Sequence, residues 1–529
     1  MKNINKHFIF AVIILLAFLM RFYKLGEVPK GFHHDEVSQA YNSFSIVETG
    51  LDRFGEKNPI LFRSFGSFQP PIYTYLTTIP IAIFGNTMFS VRFISAIFGV
   101  ITVALTYFLS GLIVNKKYKT YLPLIFSLVV AISPWAIHFS RRAVEANIGL
   151  TLFLLFLYFF IQSLKNAKNF VFALFFLGLS THAYYSERLI AVIVLPIFIF
   201  QFRKYFIENK KWVLAGLVVL ALTLLPHLVT VLSGSFFARF DQVGSSTGKF
   251  LSDFIRHLFG YFSPMYLFSD AGFGLSRISP NLGMFYGLLV FPFFVGLYKV
   301  TKIVNYKYHI FLFTLIFISL IPASLTGDDF YPLRILEFLW IVSFVISIGV
   351  YEIGMLFKNK VIRLFLLTIL ITYSLLIFYI SYFVLYQNET LEPLSTTYIQ
   401  LSEKLSNYNN YSIVIDSPRD PAIGLRLAFF RSVDPRTIQE MLRSQIGDSC
   451  NVVKNDSTEN YKFQNIETRS LNWGKDRCSP NTILIGDILT FSEPQIKEHK
   501  LIKEFEIKDN NIIALYGYRT NPDSNCLGR

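Results

Sequence analysis

Charged residues are scarce in this sequence. Only 16% of its 529 residues are Asp, Glu, Lys or Arg, whereas a typical soluble globular protein carries about 25%. Hydrophobic residues make up 53% of the chain and aromatic residues 17%, with 57 Phe and 29 Tyr. This composition is typical of a membrane protein. In such a protein a net charge of +14 reflects basic residues that flank the spans, and it does not indicate a nucleic-acid-binding surface.

Cysteine is also rare, with three residues in total, Cys450, Cys478 and Cys526. They occur in the polar C-terminal region and form no CxxC or Cys/His pattern, so no structural zinc site is predicted. The spacing is compatible with one disulfide and one free thiol, and equally with three unpaired cysteines.

A signal-peptide cleavage site is missing as well. The first apolar run, Phe8 to Met20, follows Lys2 and Lys6 in the manner of a signal peptide. It is followed by Arg21 and two aromatic residues, and small residues of the kind found at a cleavage site do not follow it. We therefore expect a retained first span with a cytoplasmic N-terminus.

Ten further apolar stretches approach the length of about 20 residues that a membrane span needs. They lie near 91–114, 121–138, 148–164, 170–181, 189–202, 213–232, 282–300, 309–325, 335–357 and 361–386. With the first span they predict about eleven transmembrane helices, which places the C-terminal region outside. The loops predicted to be inside are rich in lysine, as the positive-inside rule requires. We expect an integral protein of a bacterial plasma membrane.

Three longer polar regions complete the predicted α-helical, polytopic architecture. The first outer loop runs from 23 to about 90, and the second, 233–281, is expected to act as a flap over a site. The region from 388 onward has strand-like runs at 412–415, 482–485 and 512–516 and a helix-like run at 435–443. The sequence thus predicts a transmembrane catalytic domain over 1–387 and a small extracytoplasmic α/β domain over 388–529.

A polar cluster follows the first span: His33, His34, Asp35 and Glu36, with Tyr41 shortly after. A positioned aspartate can take the proton from an attacking hydroxyl group. We predict Asp35 and Glu36 as catalytic residues, with Glu36 supporting the geometry or a metal. Because imidazole and carboxylate groups together can bind a divalent metal, the two histidines and two acids are candidate ligands. Whether the protein uses such a cofactor stays open.

Arginines occur in three short loops on the predicted outer side, where few basic residues are expected. They are Arg141 and Arg142 near Glu145, Arg188 near Tyr184, and Arg334 near Asp328 and Asp329. Each alone could reach the interface or neutralise a neighbouring acid. Their recurrence favours binding of an anionic lipid headgroup, since a guanidinium group binds phosphate in a bidentate manner.

At this point the sequence resembles the GT-C glycosyltransferases that use polyprenyl-phosphate sugars, of the protein O-mannosyltransferase and lipid A aminoarabinose transferase type. The matching residues are Asp35-Glu36 with Tyr41, Gln69-Pro70-Pro71 with Phe84-Gly85, Arg92, Ser140-Arg141 with Glu145, the segment from Tyr184 to Arg188, and Arg334. The resemblance covers about the first 390 residues. It implies Asp35 as the catalytic base and Arg141, with Arg188 or Arg334, near the lipid phosphate. Arg142 leaves that assignment ambiguous by one residue.

The predicted function is transfer of a sugar, with inversion, from a polyprenyl-phosphate carrier to an extracytoplasmic hydroxyl- or amine-bearing acceptor. The acceptor could be a glycolipid, a glycan or a protein, and no nucleic-acid partner is expected. Two alternatives stay open. One is a transporter or flippase for a lipid-linked sugar, and the other is a glycan polymerase or ligase with a diphosphate-linked donor.

Overall fold

The computed structural model describes residues 5–236, 250–269, 282–328, 330–386, 394–446, 459–509, 512–522 and 526. It has two compact units. The first, here the helical unit, consists of Met1–Pro29, Arg92–Leu232 and Phe236–Glu389. The second, here the mixed unit, consists of Lys30–Val91, Ser233–Ser235 and Thr390–Arg529. The first predicted outer loop and the C-terminal region therefore fold together. The predicted functional division at residue 387 stays a prediction.

Helices dominate the described part of the chain. They are α1 (Lys6–Phe22), α2 (His34–Thr49), α3 (Pro71–Phe84), α4 (Met88–Ile113), α5 (Leu122–Ile132), α6 (Pro134–Arg141), α7 (Ala146–Ser163), α8 (Asn169–Ser180), α9 (Tyr185–Gln201), α10 (Arg203–Glu208), α11 (Lys210–Leu232), α12 (Phe250–Gly260), α13 (Pro264–Phe268), α14 (Val290–Ile303), α15 (His309–Ser324), α16 (Leu336–Leu356), α17 (Lys360–Phe378), α18 (Leu394–Leu405), α19 (Ile423–Phe430), α20 (Pro435–Ile446), α21 (Trp473–Asp476) and α22 (Glu493–Glu498). Short 3₁₀ helices cover Lys116–Tyr118, Gly287–Leu289, Tyr306–Tyr308, Pro332–Arg334 and Ser406–Tyr408, and a π-helix covers Tyr379–Leu385.

Within the described residues, six helices are long and apolar enough to cross a membrane. They are α4, α7, α11, Tyr306–Ser324, α16 and Lys360–Leu385. Helices α5 and α6 form a pair bent by 54°, which makes seven if the pair is one span. The bend lies at Ser133, whose backbone is extended because Pro134 disfavours a helical conformation in the residue before it. The fold supports an integral membrane protein.

The prediction of about eleven transmembrane helices is not confirmed. The remaining predicted spans are helical, but α1 and α9 have 17 residues, α14 has 14 and α8 has 12. An apolar run of that length is shorter than the roughly 20 residues that cross the hydrocarbon core. The apolar runs therefore predicted where the helices lie, but these four helices are shorter than full spans.

Small residues allow two helices of the helical unit to pack closely. A Cβ atom at Gly296 of α14 would overlap the carbonyl oxygen of Val345 in α16, and a Cβ at Gly349 of α16 would overlap that of Pro292 in α14. Glycine at both positions lets the two backbones approach each other, as is common between membrane helices.

The mixed unit contains two sheets. Strands β1 (Phe62–Ser64) and β2 (Ser67–Gln69) form an antiparallel hairpin. The larger sheet contains β3 (Ser412–Ile415), β4 (Tyr461–Phe463), β5 (Ile466–Thr468), β6 (Thr482–Gly486), β7 (Ile502–Asp509) and β8 (Ile512–Arg519). Its strand order is β4-β5-β3-β6-β8-β7, with β3 parallel to β5 and β6 and the other pairs antiparallel. The predicted strands and the helix at 435–443 are confirmed.

Two predictions fall partly outside the described residues. Of the proposed flap, 233–281, the residues 237–249 and 270–281 lie outside the described part of the chain. Its described interior contains α12 and α13. Cys450 also lies outside, whereas Cys478 and Cys526 form a disulfide. Of the two possibilities left open by the cysteine spacing, the structure thus has the disulfide.

Thiol counting tests the disulfide. In the denatured, unreduced protein we expect a maleimide reagent to label one cysteine per chain, and three after reduction, because Cys478 and Cys526 are joined. The mass increase of the labelled chain measures both numbers. A Cys450→Ser variant is the control and should take up no label before reduction. Labelling of three thiols without reduction would contradict the disulfide.

Candidate active site

The polar cluster after the first span forms the start of α2. The Nδ1 atom of His33 accepts a hydrogen bond from the backbone N–H of Asp35 at 3.3 Å. The carboxylate of Glu36 accepts one from the backbone N–H of His33 at 3.2 Å. These reciprocal bonds form a capping box, which satisfies N–H groups that a helix start otherwise leaves unpaired. Glu36 is buried, and through its capping bond its carboxylate stabilises the helix that carries Asp35.

Asp35 is both accessible and held in place. Its side chain is 43% exposed, as a base that meets a substrate must be. Nε2 of Gln69, at the end of β2, donates hydrogen bonds to the backbone oxygen of Asp35 at 3.1 Å and to its Oδ1 at 3.3 Å. Two segments that carry the family resemblance, Asp35-Glu36 and Gln69-Pro70-Pro71, therefore meet in the structure.

Three side chains at the start of α2 could hold a metal ion. Ligand atoms of His33, His34 and Asp35 all lie within 4.8 Å of one another, and no other His, Cys, Asp or Glu group in the described residues does so. Nε2 of His34 lies 3.7 Å from Oδ1 of Asp35, and Nδ1 of His33 lies 3.8 Å from Oδ2. Two imidazoles and one carboxylate are a suitable donor set for a divalent transition metal. Glu36, also predicted as a ligand, is not part of this group.

Tyr41 anchors the same helix further along. It is fully buried, and its hydroxyl group donates a hydrogen bond to the backbone oxygen of Val433 at 3.0 Å. Tyr41 therefore helps to fix the position of α2.

In the helical unit, Arg141 binds the end of α1 and the turn that follows. Its guanidinium group donates to the backbone oxygens of Met20 and Arg21 at 3.0 Å, Tyr23 at 2.7 Å, Lys24 at 3.2 Å and Val28 at 2.8 Å. The last carbonyl groups of a helix have no partner within the helix, and a cationic side chain there is favourable. Arg141 thus acts as a cap. Its predicted phosphate contact stays a prediction.

Two further buried arginines hold α1 and the turn that follows it. Nη1 of Arg92 donates to the backbone oxygen of Pro29 at 2.9 Å. Nη1 of Arg21 donates to the backbone oxygen of Ala131 at 3.1 Å, which ties α1 to α5. A Cβ atom at Gly99 of α4 would come within 2.7 Å of Nε of Arg21, so glycine leaves room for this side chain. Arg21 is not among the predicted site residues, although its charge at the end of the first apolar run is visible in the sequence.

Arg188, near the start of α9, has a different environment. It is 8% exposed, and its guanidinium lies between the rings of Tyr185 and Phe236, at 4.5 and 4.6 Å from their centroids. Nη1 donates to the backbone oxygen of Phe236 at 3.2 Å. Nη2 has no hydrogen-bond partner among the described residues.

Arg334, just before α16, is partly neutralised. Its Nη1 donates to Oδ2 of Asp328 at 2.6 Å and to Oγ1 of Thr326 at 2.7 Å, and its guanidinium lies 4.1 Å from the ring centroid of Tyr331. Burial by itself lowers the pKa of this guanidinium, but Tyr184, Tyr331 and Asp328 raise it above its ordinary value overall. Asp329 lies outside the described residues.

A carboxyl pair joins the two segments that carry Arg188 and Arg334. Glu187 and Glu337 are both buried and lie close to each other. Because this pair connects the start of α9 with the start of α16, Tyr184, Arg188 and Arg334 lie in one region of the helical unit. No local sequence pattern predicts this pair, because its two members lie far apart in the chain.

Arg142 and Glu145 lie on the connection between α6 and α7, where both are partly exposed. They also belong to a different unit from the proposed base. Asp35, Glu36 and Tyr41 belong to the mixed unit, whereas Arg92, Arg141, Arg142, Glu145, Tyr184, Arg188 and Arg334 belong to the helical unit. The predicted arrangement, in which the base faces the phosphate-binding arginines, stays a prediction.

Comparisons with known proteins agree with the predicted resemblance. Residues 68–229 match the model of a family described as dolichyl-phosphate-mannose-protein mannosyltransferase. ArnT from Cupriavidus metallidurans, in its apo state, has the same fold, with a TM-score of 0.60, 11% identity and coverage of 96% of this chain and 97% of that chain. The match and the fold support a GT-C superfamily glycosyltransferase. The resemblance predicted from the sequence is confirmed.

Two other solved structures are also similar to this chain. ArnT bound to undecaprenyl phosphate has a TM-score of 0.52 and 10% identity, again covering 96% of this chain and 97% of that chain. The Archaeoglobus fulgidus oligosaccharyltransferase in complex with Zn and sulfate has a TM-score of 0.49 and 13% identity, covering 97% of this chain and 73% of that chain. Among curated proteins, no sequence matches this glycosyltransferase-like chain.

The contacts of Arg141 and Arg188 predict that substitution destabilises the protein to different extents. Arg141→Gln removes donors from five backbone oxygens, so we expect it to lower the free energy of unfolding by about 3–5 kcal/mol. Arg188→Gln removes two long bonds, to Thr181 and Phe236, and should cost about 1–2 kcal/mol. Thermal unfolding of the detergent-purified variants measures the difference. Equal destabilisation, or a larger effect at Arg188, would contradict the assigned capping role.

Proposed function

We propose that this protein transfers a sugar from a polyprenyl phosphate to an acceptor outside the cytoplasm, with inversion at the anomeric carbon. The observation that carries the proposal is the accessible carboxylate of Asp35, held by Gln69 at the start of a capped helix. The family match over 68–229 and the fold shared with ArnT support it. One ArnT structure is described as bound to undecaprenyl phosphate, which supports a carrier of this class.

The proposed reaction is a single displacement. The acceptor oxygen or nitrogen attacks the anomeric carbon, and Asp35 takes the proton that the acceptor loses. The bond between that carbon and the phosphate oxygen breaks, and the bonding electrons leave with the polyprenyl phosphate. Inversion follows because the acceptor attacks from the side opposite to the leaving phosphate. The polyprenyl chain contributes binding energy away from the reacting atoms.

Arg188 is our first candidate for binding the donor phosphate. Its Nη2 atom has no partner among the described residues, and a buried guanidinium interacts strongly with an anion. Arg334 is the second candidate, because its ion pair with Asp328 offsets only part of its positive charge. Arg142 is the third. Arg141 ranks last, since five backbone oxygens already accept its hydrogen bonds.

His33, His34 and Asp35 would hold a divalent metal if the enzyme uses one. Such an ion supplies positive charge that stabilises a leaving phosphate.

The disulfide supports an extracytoplasmic location for the mixed unit. Disulfides persist in oxidising compartments and are rare in the cytosol, and Cys478 and Cys526 form one here. The lysine-rich loops of the sequence favour a cytoplasmic N-terminus. We therefore propose a bacterial plasma-membrane protein whose mixed unit lies outside.

Titration with metal tests the proposed ligand group. We expect Zn²⁺ or Mn²⁺ to bind purified wild-type protein at one site and His34→Ala to lose that binding, as measured by isothermal titration calorimetry. His499→Ala is the matched control, because this histidine of the mixed unit stacks on Trp473 and is outside the group. Equal binding by both variants, or no binding by wild-type protein, would exclude the site.

Substitution of the base tests the function. Asp35→Asn keeps the size of the side chain and removes its basicity, so kcat should fall by about 10²–10⁴-fold. Radiolabelled undecaprenyl-phosphate sugars serve as donors, and membrane vesicles of the expressing cells supply the acceptor. Glu27→Gln is the control. This exposed acid lies in the same predicted outer loop as Asp35, and it pairs only weakly with Lys24, at 3.6 Å.

Undiminished transfer by folded Asp35→Asn protein would remove Asp35 as the base. Mass analysis of the released lipid separates the other donor class, since a monophosphate is expected and a diphosphate would indicate a polymerase or ligase. Movement of labelled lipid across vesicles without any sugar transfer would instead indicate a flippase.

A further inference from the structure

The helix that carries Asp35 is bound at both ends by the C-terminal part of the mixed unit. Near its start, Arg426 donates to the backbone oxygen of Phe32 at 2.7 Å. At its other end, Nε2 of Gln439 donates to Oγ of Ser45 and Oγ1 of Thr49, both at 2.9 Å. With the bond from Tyr41 to Val433 between them, these contacts fix α2 against α19, α20 and the segment that joins them.

The anchor near Asp35 is itself rigid. Arg426 is 5% exposed, and its guanidinium forms an ion pair with Asp420 and lies 4.9 Å from the ring centroid of Tyr398. The hydroxyl group of Tyr398 donates to the same carboxylate of Asp420 at 2.5 Å. Asp420 fixes Nη1 of Arg426, and the ring of Tyr398 fixes the face of the guanidinium. The guanidinium therefore presents Nε to Phe32 in a single orientation.

Phe32 transmits this position to the active site. Its side chain is fully buried, and its ring lies 5.5 and 5.7 Å from the rings of Phe429 and Phe430. The next residue, His33, is the N-cap of α2, and Asp35 is in the first turn. A fixed backbone at Phe32 therefore sets where α2 begins and which way the carboxylate of Asp35 points.

The loop after α2 is held by the same region. The buried guanidinium of Arg53 pairs with Glu459 at 2.9 Å. Nη2 of Arg443 donates to the backbone oxygen of Gly55 at 2.7 Å, and the side chain of Arg443 lies against Gly55, which has a positive φ of 79°. The C-terminal region thus contacts the chain before, along and after α2. Because these contacts come from several parts of that region, they depend on its fold as a whole.

We propose that Arg426 is a positioning residue for the transfer reaction, and that the C-terminal region serves to orient the helix that carries the base. This rests on the function proposed above for Asp35. Arg426 acts through Phe32 and the N-cap of α2, and it takes no part in proton transfer. Its loss should therefore slow the chemical step and leave donor binding unchanged, since a displacement of about 1 Å can cost about 10²-fold in rate.

The test compares Arg426→Met with Arg431→Met. Arg431 directly follows α19, is also partly buried, and donates to the backbone oxygen of Ser402 and to Oε1 of Gln464. Its bonds thus stay within the C-terminal region. With labelled undecaprenyl-phosphate sugar as donor, we expect kcat of Arg426→Met to fall by about 10²-fold with KM for the donor unchanged. Arg431→Met should keep both constants within about twofold at a similar thermal stability.

Hydrogen exchange gives a readout that does not depend on activity. Backbone amides of residues 33–37 should exchange faster in Arg426→Met than in wild-type or Arg431→Met protein. Unchanged exchange, or equal loss of kcat in the two variants, would overturn the positioning role. If wild-type protein transfers no sugar while exchange is faster in Arg426→Met, the proposed function fails and the anchoring of α2 by Arg426 stands.

Discussion

Backbone polar groups must find partners where a helix ends, and this constraint shapes the regions around both groups of functional candidates. At the end of α1, five backbone oxygens accept hydrogen bonds from Arg141. In a low-dielectric environment an unpaired carbonyl group is costly. A buried arginine is suited to this role, because its planar group presents several donors and stays charged. Arg92 supports the same turn, so these arginines fix the path by which the chain leaves α1.

The start of α2 solves the same problem in the mixed unit, with consequences for chemistry. His33 and Glu36 cap the helix through reciprocal bonds, which leaves the carboxylate of Asp35 accessible. Gln69 orients that carboxylate, and Arg426 holds the backbone just before the cap. For the base that we propose, preorganisation of this kind avoids a loss of conformational entropy during the reaction. The C-terminal region is thus physically connected to the residue proposed for the chemistry.

Much of the architecture could be predicted from residue patterns. Apolar runs correctly marked helices throughout the helical unit, and strand-like runs marked β3, β6 and β8. The predicted number of about eleven spans is not confirmed, because helices such as α8 and α14 are shorter than a full span. Apolar content reports burial in general, and a helix buried among other helices is as apolar as one that faces lipid.

The sequence alone determined the membrane class, the resemblance to GT-C glycosyltransferases and the prominence of Asp35, since each depends on local composition or on short motifs. Tertiary structure decided what the charged side chains do. Arg141 and Arg188 look alike in sequence as outer-loop arginines, yet both terminal nitrogens of Arg141 donate to backbone oxygens, whereas Nη2 of Arg188 has no partner in the described structure. The anchoring of α2 by Arg426 joins residues 394 positions apart. Such pairings depend on how the chain folds back on itself, which no local pattern records.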